Sequence, residues 1–199
     1  MSKRRDTRNE ILQLTHELFL TRGFNGFSYQ DLADRLGIRK ASIHYHFPSK
    51  EDLGVAMIDN FQQELSTWSG NLDAIDADPV AKLDALFQIY TDIFKGQGQI
   101  CMVGACSAEW NTLAEPVRNK MMAVMAGQRT WLVDLIKEGR HTGSFAPGTD
   151  ALPLARLVYA SMQGALQLAR VQSDESMLHM VIRQLKDLVQ GNVPATTTA

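Results

Sequence analysis

The chain has 199 residues, is 45% hydrophobic and 21% charged, and carries only 6 prolines, a composition that buries a core and excludes wholesale disorder. No apolar run reaches the roughly 18 uncharged residues of a membrane span, and MSKRRDTRNE lacks a signal peptide's apolar region, so a cytoplasmic protein with no membrane partner is expected. A formal charge of −2 argues against nucleic acid only for the chain taken whole: residues 1–50 hold nine Lys/Arg against five Asp/Glu, a net of +4, and the rest hold eleven against seventeen, a net of −6.

The chain then reads as helix almost throughout. Thr7 with Glu10 three residues on is a capping box, and Ile11, Leu14 and Leu18 recur at helical spacing until Gly23. Ser28 with Asp31 caps a second, short helix whose apolar face is Leu32, Ala33 and Leu36, stopped by Gly37. About two turns follow over Arg39 to Tyr45, ended by Phe47-Pro48, because proline disfavours a helical residue before it. Ser49 with Asp52 caps a fourth helix through Leu53, Met57, Ile58 and Phe61, expected over 50–67, and 68–78 reads as a connector.

Asp78-Pro79 restarts helix with Leu83, Leu86, Phe87, Tyr90 and Phe94 as its stripe, broken by Gly96-Gln97-Gly98. Residues 99–113 form a short apolar segment holding Cys101 and Cys106, which are too few for a disulfide framework and five apart, so a regular helix points them to different faces. Pro116 opens a long helix ending near Gly139 to Gly143; Asp150 caps another over 151–169, whose face alternates large and small from Leu154 to Leu168. Asp174 and Glu175 begin the last helix, striped by Leu178, Val181, Ile182, Leu185, Leu188 and Val189. No period-two strand signature occurs. The expected fold is all-α: a three-helix helix-turn-helix head in 1–50, a helical ligand-binding and dimerisation body in 51–190, and a flexible tail in 191–199.

Residues 28–46 have the layout of a DNA reader, in which a capped helix braces a second helix whose outer positions meet base edges in the major groove. Leu32, Ala33, Leu36 and Ile43 supply the brace, leaving Arg39, Lys40, Ser42, His44 and Tyr45 for nucleic acid. Lys3, Arg4, Arg5, Arg8 and Lys50 add candidate phosphate contacts, which position a protein without reading sequence. A basic head alone is also compatible with a protein-interaction module, and a helical adaptor without DNA binding is the first alternative.

The run from Phe24-Asn25-Gly26-Phe27-Ser28-Tyr29-Gln30-Asp31-Leu32-Ala33 through Leu36-Gly37-Ile38-Arg39-Lys40-Ala41-Ser42-Ile43-His44-Tyr45-His46-Phe47-Pro48-Ser49-Lys50-Glu51-Asp52-Leu53 resembles the N-terminal domain of the TetR family of transcriptional repressors. The resemblance covers about residues 7 to 60. It implies a homodimeric repressor whose head binds a palindromic double-stranded DNA operator and whose body binds a small molecule and supplies a four-helix dimer interface. Carried over by position, Ser28, Tyr29 and Gln30 start the supporting helix near the DNA backbone, Arg39, Lys40, Ala41 and Ser42 start the recognition helix, His44 faces the groove, and Tyr45 and Lys50 hold phosphates. The family usually has glycine or a small residue near positions 40 and 41, so the Arg39-Lys40 pair is slightly more basic than typical.

In the body, small residues allow close approach of the last two helices across a dimer axis, giving Leu157, Ser161, Gly164, Ala165, Leu178 and Leu185 as candidate interface residues. The segment from Ile100 to Trp110 resembles a TetR subgroup that includes repressors of electrophile detoxification, where a cysteine at the position of Cys101 acts as sensor. That resemblance makes Cys101 the candidate redox residue, while the methionines and aromatics of the body suit an adaptable apolar cavity with Tyr90, Trp110 and Met121 as candidate effector contacts, against a plainer role for each in packing. The effector is not legible, and no metal or cofactor is called for: His16, His44, His46, His141 and His179 have no ligand spacing. A small cysteine-dependent enzyme is the remaining alternative, but no nucleophile-base arrangement or phosphate loop supports one, so the expectation is that the chain is not an enzyme.

Overall fold

In the computed structural model, which describes residues 6–96, 101–148 and 150–192, the described residues form helices and no strand. In chain order these are α1 (Thr7–Arg22), α2 (Tyr29–Leu36), α3 (Lys40–His46), α4 (Lys50–Ala74), α5 (Pro79–Lys95), α6 (Met102–Ala108), α7 (Glu115–His141), α8 (Leu152–Gln172) and α9 (Glu175–Gln190). The all-α expectation holds. The basic arm residues Lys3, Arg4 and Arg5, residue Ile100 and the tail beyond 192 lie outside the described residues.

Local chemistry explains most of the ends. Ser28 and Asp31 form a complete capping box at the start of α2, and Gly37 ends it in the left-handed conformation, φ 64° and ψ 35°, which costs a glycine no side-chain clash. Asp78 accepts from the Ala81 N–H ahead of Pro79 in α5. Other boundaries differ from the sequence expectation. The cap of α1 is Asp6, which accepts from the Asn9 N–H at 3.2 Å, and Thr7 is already the first helical residue. The start of α8 has no side-chain cap on Ala151; Asp150 instead accepts from the Leu152 N–H at 2.9 Å.

The larger correction concerns α4, which runs to Ala74 instead of ending near 67. Ser69, Gly70, Asn71 and Asp73 look like a connector because they have no apolar stripe, yet a polar helical surface is allowed wherever the chain faces water, and a Cβ added to Gly70 meets nothing within 4 Å. Asp73, in the last turn, lies 3.0 Å from the buried Lys82 of α5, which also reaches Glu138 of α7 at 3.1 Å. Hydrogen bonding to Asp73 and then to Glu138 holds that ammonium above the usual lysine range.

The chain divides into two compact units. One comprises residues 6–69 and 101–125 and so joins α1, α2, α3 and most of α4 to α6 and the start of α7; the other comprises 70–96, 126–148 and 150–192. The charge boundary near residue 50 and this packing division are therefore different features. In the first unit Ile11, Leu32, Ile43, Leu53, Ile58 and Met121 are fully buried, and Phe24 lies edge-on to both Phe19 and Phe27. Gly54 of α4 leaves room for Phe24: a Cβ there would stand 2.8 Å from its ring. In the second unit α8 and α9 pack on each other and both on α5, and Val158, Met162, Ala165, Leu166, Ala169, Leu178, Leu185 and Val189 are buried.

Replacing Leu32 with alanine removes a side chain with no exposure from among α1, α2 and α3 and should lower the unfolding free energy by about 2–5 kcal/mol, measured by urea denaturation followed by circular dichroism.

Candidate nucleic-acid interface

The seven residues of α3 are too few to hold a helix in water by themselves, so their placement depends on what they pack against. Ile43 points inward with no exposure, and Phe47, the residue that ends the helix, is 2% exposed. Lys40, Ala41, His44 and Tyr45 then share the opposite face and are exposed; Tyr45 reaches 84%, an unusual exposure for a tyrosine without a partner surface. Arg39 precedes them in extended conformation as the N-cap residue, also exposed, and Ser42 is half-buried. The structure thus brings Arg39, Lys40, Ala41, His44 and Tyr45 together on one outward surface.

Three other sequence candidates are engaged within the fold. Tyr29 is 7% exposed, and its hydroxyl lies 2.9 Å from the Phe47 carbonyl and 2.5 Å from that of Ser49, tying the start of α2 to the end of α3. Burial pushes its pKa up to about 12, and the nearby Asp52 carboxylate adds to the rise. Ser28 donates its hydroxyl and its N–H to Asp31, at 2.6 and 2.7 Å, and these bonds hold the Asp31 carboxyl below its usual range. Lys50 donates from Nζ to the Phe27 carbonyl and lies over the rings of Phe27 and Phe24, at 4.4 and 5.0 Å. Burial lowers its pKa, while Glu109 and Asp31 oppose that shift.

His44 is oriented as well as exposed. Its ring meets that of Tyr29 at 4.7 Å, and Nδ1 lies 3.3 Å from the Pro48 carbonyl, which only accepts. In the neutral ring the proton therefore sits on Nδ1, and Nε2 is left as an acceptor. Arg8 stands over the Phe47 ring at 5.3 Å.

One contact had no sequence signal. Asn25, in the turn between α1 and α2, donates its backbone N–H and its side-chain amide to the Glu109 carboxylate, both at 3.1 Å, and the same amide donates to the Thr112 hydroxyl at 2.8 Å. A separation of 84 residues has no periodicity to betray it.

The candidate sensor residues do not all share a unit. Cys101, at the N-cap of α6, Trp110 and Met121 belong to the unit that contains the helix-turn-helix; Tyr90 belongs to the other, where its hydroxyl accepts from Gln163 at 3.2 Å. Neither cysteine forms a disulfide. Burial pushes Cys106 up to about 12, with Cys101 and Glu109 adding to the shift. Of the candidate interface residues, Leu157 is 48% exposed, Ser161 and Gly164 are half-buried, and a Cβ on Gly164 would meet nothing within 4 Å. Ala165, Leu178 and Leu185 are instead buried within the chain, where α8 and α9 pack together.

A capped helix, a glycine turn and a short helix with an exposed polar and basic face define a helix-turn-helix DNA-binding protein. The family described as "Bacterial regulatory proteins, tetR family" matches residues 11–57, and the one described as "Tetracyclin repressor-like, C-terminal domain" matches residues 79–185, so the chain belongs to the TetR family of transcriptional regulators. It is 28% identical to the transcriptional repressor DhaR of Mycobacterium sp. strain GP1 over 88% of each chain. It is 26% identical to the transcriptional repressor NemR of Escherichia coli K12, over 92% of this chain and 94% of that one. Among solved structures, a TetR transcriptional regulator from Legionella pneumophila aligns with a TM-score of 0.85 at 27% identity, covering 95% of this chain and all of the other. These relatives are regulators and not enzymes. No helix among the described residues is long and apolar enough to cross a membrane.

Tyr29→Phe deletes the hydroxyl that joins α2 to the end of α3 and should cost about 1–2 kcal/mol in urea unfolding. Because the folded-state pKa is raised from 10.0 to about 12, the unfolded chain loses this proton first. Stability should therefore fall as pH rises from about 10 to about 12, and that part of the slope should vanish in the phenylalanine variant.

Proposed function

We propose that the protein is a homodimeric repressor that binds a palindromic operator through α3 of each protomer and is released by a small molecule or by modification of Cys101. The observation that carries the DNA-binding assignment is the outward face of α3, where Arg39, Lys40, His44 and Tyr45 lie exposed while Ile43 is fully buried. Arg39 and Lys40 suit base edges or phosphates, His44 offers an acceptor suited to a base amino group, and Tyr45 suits a phosphate or a thymine methyl. Ser28, Ala41 and Ser42 are the further candidate contacts of this head. Lys50 gives one ammonium proton to the Phe27 carbonyl, and its other two are the donors it would offer a phosphate. Division into a reading head at 1–50, a regulatory body at 51–190 and a short tail at 191–199, in a cytoplasmic protein, fits this role.

Dimer formation is supported by the second unit. Large apolar side chains stay exposed on α8 and α9: Leu157 at 48%, Leu168 at 50%, Val171 at 82%, Met180 at 49% and Leu188 at 38%. Leu157, Ser161, Gly164, Leu168 and Val171 recur at intervals of four and three, one stripe of a helix, with open space over Gly164. A second copy of the same stripe, packed by two-fold symmetry, covers it. Ala165, Leu178 and Leu185 support that surface from beneath.

For release, NemR and DhaR are repressors at similar distance, and one NemR crystal structure is of its reduced form. Cys101 is the better placed of the two thiols: it is 8% exposed, against 1% for Cys106, which burial also keeps protonated. Tyr90, Trp110 and Met121 remain the candidate contacts for a small molecule.

Lys40→Ala and Tyr45→Ala should each weaken binding to a duplex selected by the wild-type protein from a random library, and Lys40→Ala should reduce the slope of log affinity against log salt by about one. Wild-type behaviour in both variants removes α3 from the interface. Leu168→Glu should convert a dimer to a monomer in sedimentation while leaving the circular dichroism unchanged.

N-ethylmaleimide at pH 8 should label Cys101 well before Cys106 by peptide mass spectrometry and should lower DNA affinity. Cys101→Ser should abolish the loss, and a mutant that still responds assigns Cys101 to packing.

A further inference from the structure

We propose that Glu109 is a positioning residue for DNA reading: its carboxylate clasps the turn between α1 and α2 to the end of α6 and thereby fixes the helix-turn-helix for the operator. The proposal rests on the role given to α3 above. All of its parts lie within the unit formed by residues 6–69 and 101–125.

The clasp is a built site. All three N–H donors of Asn25 are engaged, the backbone N–H and one side-chain proton on Glu109 and the other side-chain proton on the Thr112 hydroxyl. That hydroxyl in turn donates to the Glu109 backbone carbonyl at 2.9 Å, so carboxylate and hydroxyl are fixed relative to one another. The turn is shaped to receive them. Gly23 has φ +79°, which disfavours any side chain, and a Cβ there would fall 1.8 Å from Glu109 Oε1. The carboxylate thus stands where any side chain at position 23 would have to be, and takes two charge-assisted donors from Asn25 while the third goes to Thr112.

The turn leads directly to the reading surface. Phe24, beside the clasp, is buried against Phe19 and Phe27. The Phe27 carbonyl holds Lys50, Ser28 caps α2, and Tyr29 joins α2 to Phe47 and Ser49 at the end of α3. On the other side, Glu109 directly follows the helix whose first and fifth residues come just after Cys101 and at Cys106. Anything that displaces α6 therefore withdraws Glu109 from the turn, and the head then has to be ordered by DNA at a cost in affinity.

The test uses the full-length protein and the library-selected duplex. Asn25→Asp is isosteric but sets a carboxylate against a carboxylate; Glu109→Ala removes the acceptor; Glu109→Gln keeps an acceptor oxygen without the charge. Asn25→Asp and Glu109→Ala should weaken DNA binding about fivefold to tenfold, and Glu109→Gln should restore most of the affinity lost in Glu109→Ala. Amide hydrogen exchange should rise in residues 24–28 of the two weakened variants and stay unchanged in α8 and α9, with melting temperatures within about 2 °C of wild type. Wild-type affinity and exchange in Asn25→Asp and Glu109→Ala overturn the proposal. So does a loss of affinity matched by loss of melting temperature, which assigns the clasp to stability alone. Lys40→Ala separates the two readings: if it leaves DNA binding intact the assignment of α3 has failed, whereas weakened Lys40→Ala with unaffected clasp variants defeats the clasp only.

Discussion

The helix-turn-helix is made of two helices of eight and seven residues, and neither is long enough to persist in water alone. Everything in the head follows from holding them together. Leu32 and Ile43, both without exposure, give the apolar contact, and the Tyr29 hydroxyl gives the polar one, reaching from the first residue of α2 to carbonyls at and beyond the end of α3. With Ile43 and Phe47 turned inward, helical geometry leaves Lys40, Ala41, His44 and Tyr45 outward, so packing and recognition are two sides of one constraint. Tyr29 and Lys50 serve the first side of it. Their polar groups meet backbone carbonyls of the head itself, which is why residues that match the family's motif by position are not all presented to solvent.

Charge works on a longer scale. A net of +4 over the first fifty residues and −6 over the remainder gives the segment that holds the helix-turn-helix the opposite sign to the rest of the chain. Within the first unit, Glu109 is an acid that acts locally. Its carboxylate meets neutral amide donors of Asn25 and also acts on the ammonium of Lys50.

The second unit contrasts buried and exposed apolar residues on the same helices. Val158, Met162, Leu166 and Ala169 of α8 are inside, while Leu157, Leu168 and Val171 are outside. A helix with two apolar faces, in a chain that leaves one of them open, is the surface that a two-fold partner suits, and Gly164 lies on the open face.

Helical periodicity, several caps and the contiguous motif were legible from residue order alone. Ser28 with Asp31, Gly37, and Asp78 with Pro79 act through neighbours within four residues, and the helix-turn-helix motif is contiguous, so local chemistry suffices to see them. The end of α4 escaped because its last turns lack an apolar stripe and are continued by helical backbone, with Asp73 meeting Lys82 across the following turn. Packing in three dimensions selected which polar groups face solvent and which are engaged within the fold, as with Tyr29 and Lys50. It alone decided which of Leu157 and Leu178 stays exposed, and it brought Glu109 to Asn25 across 84 residues. Hydrogen-bond partners and burial are set by distance in space, which helical periodicity fixes only within one helix.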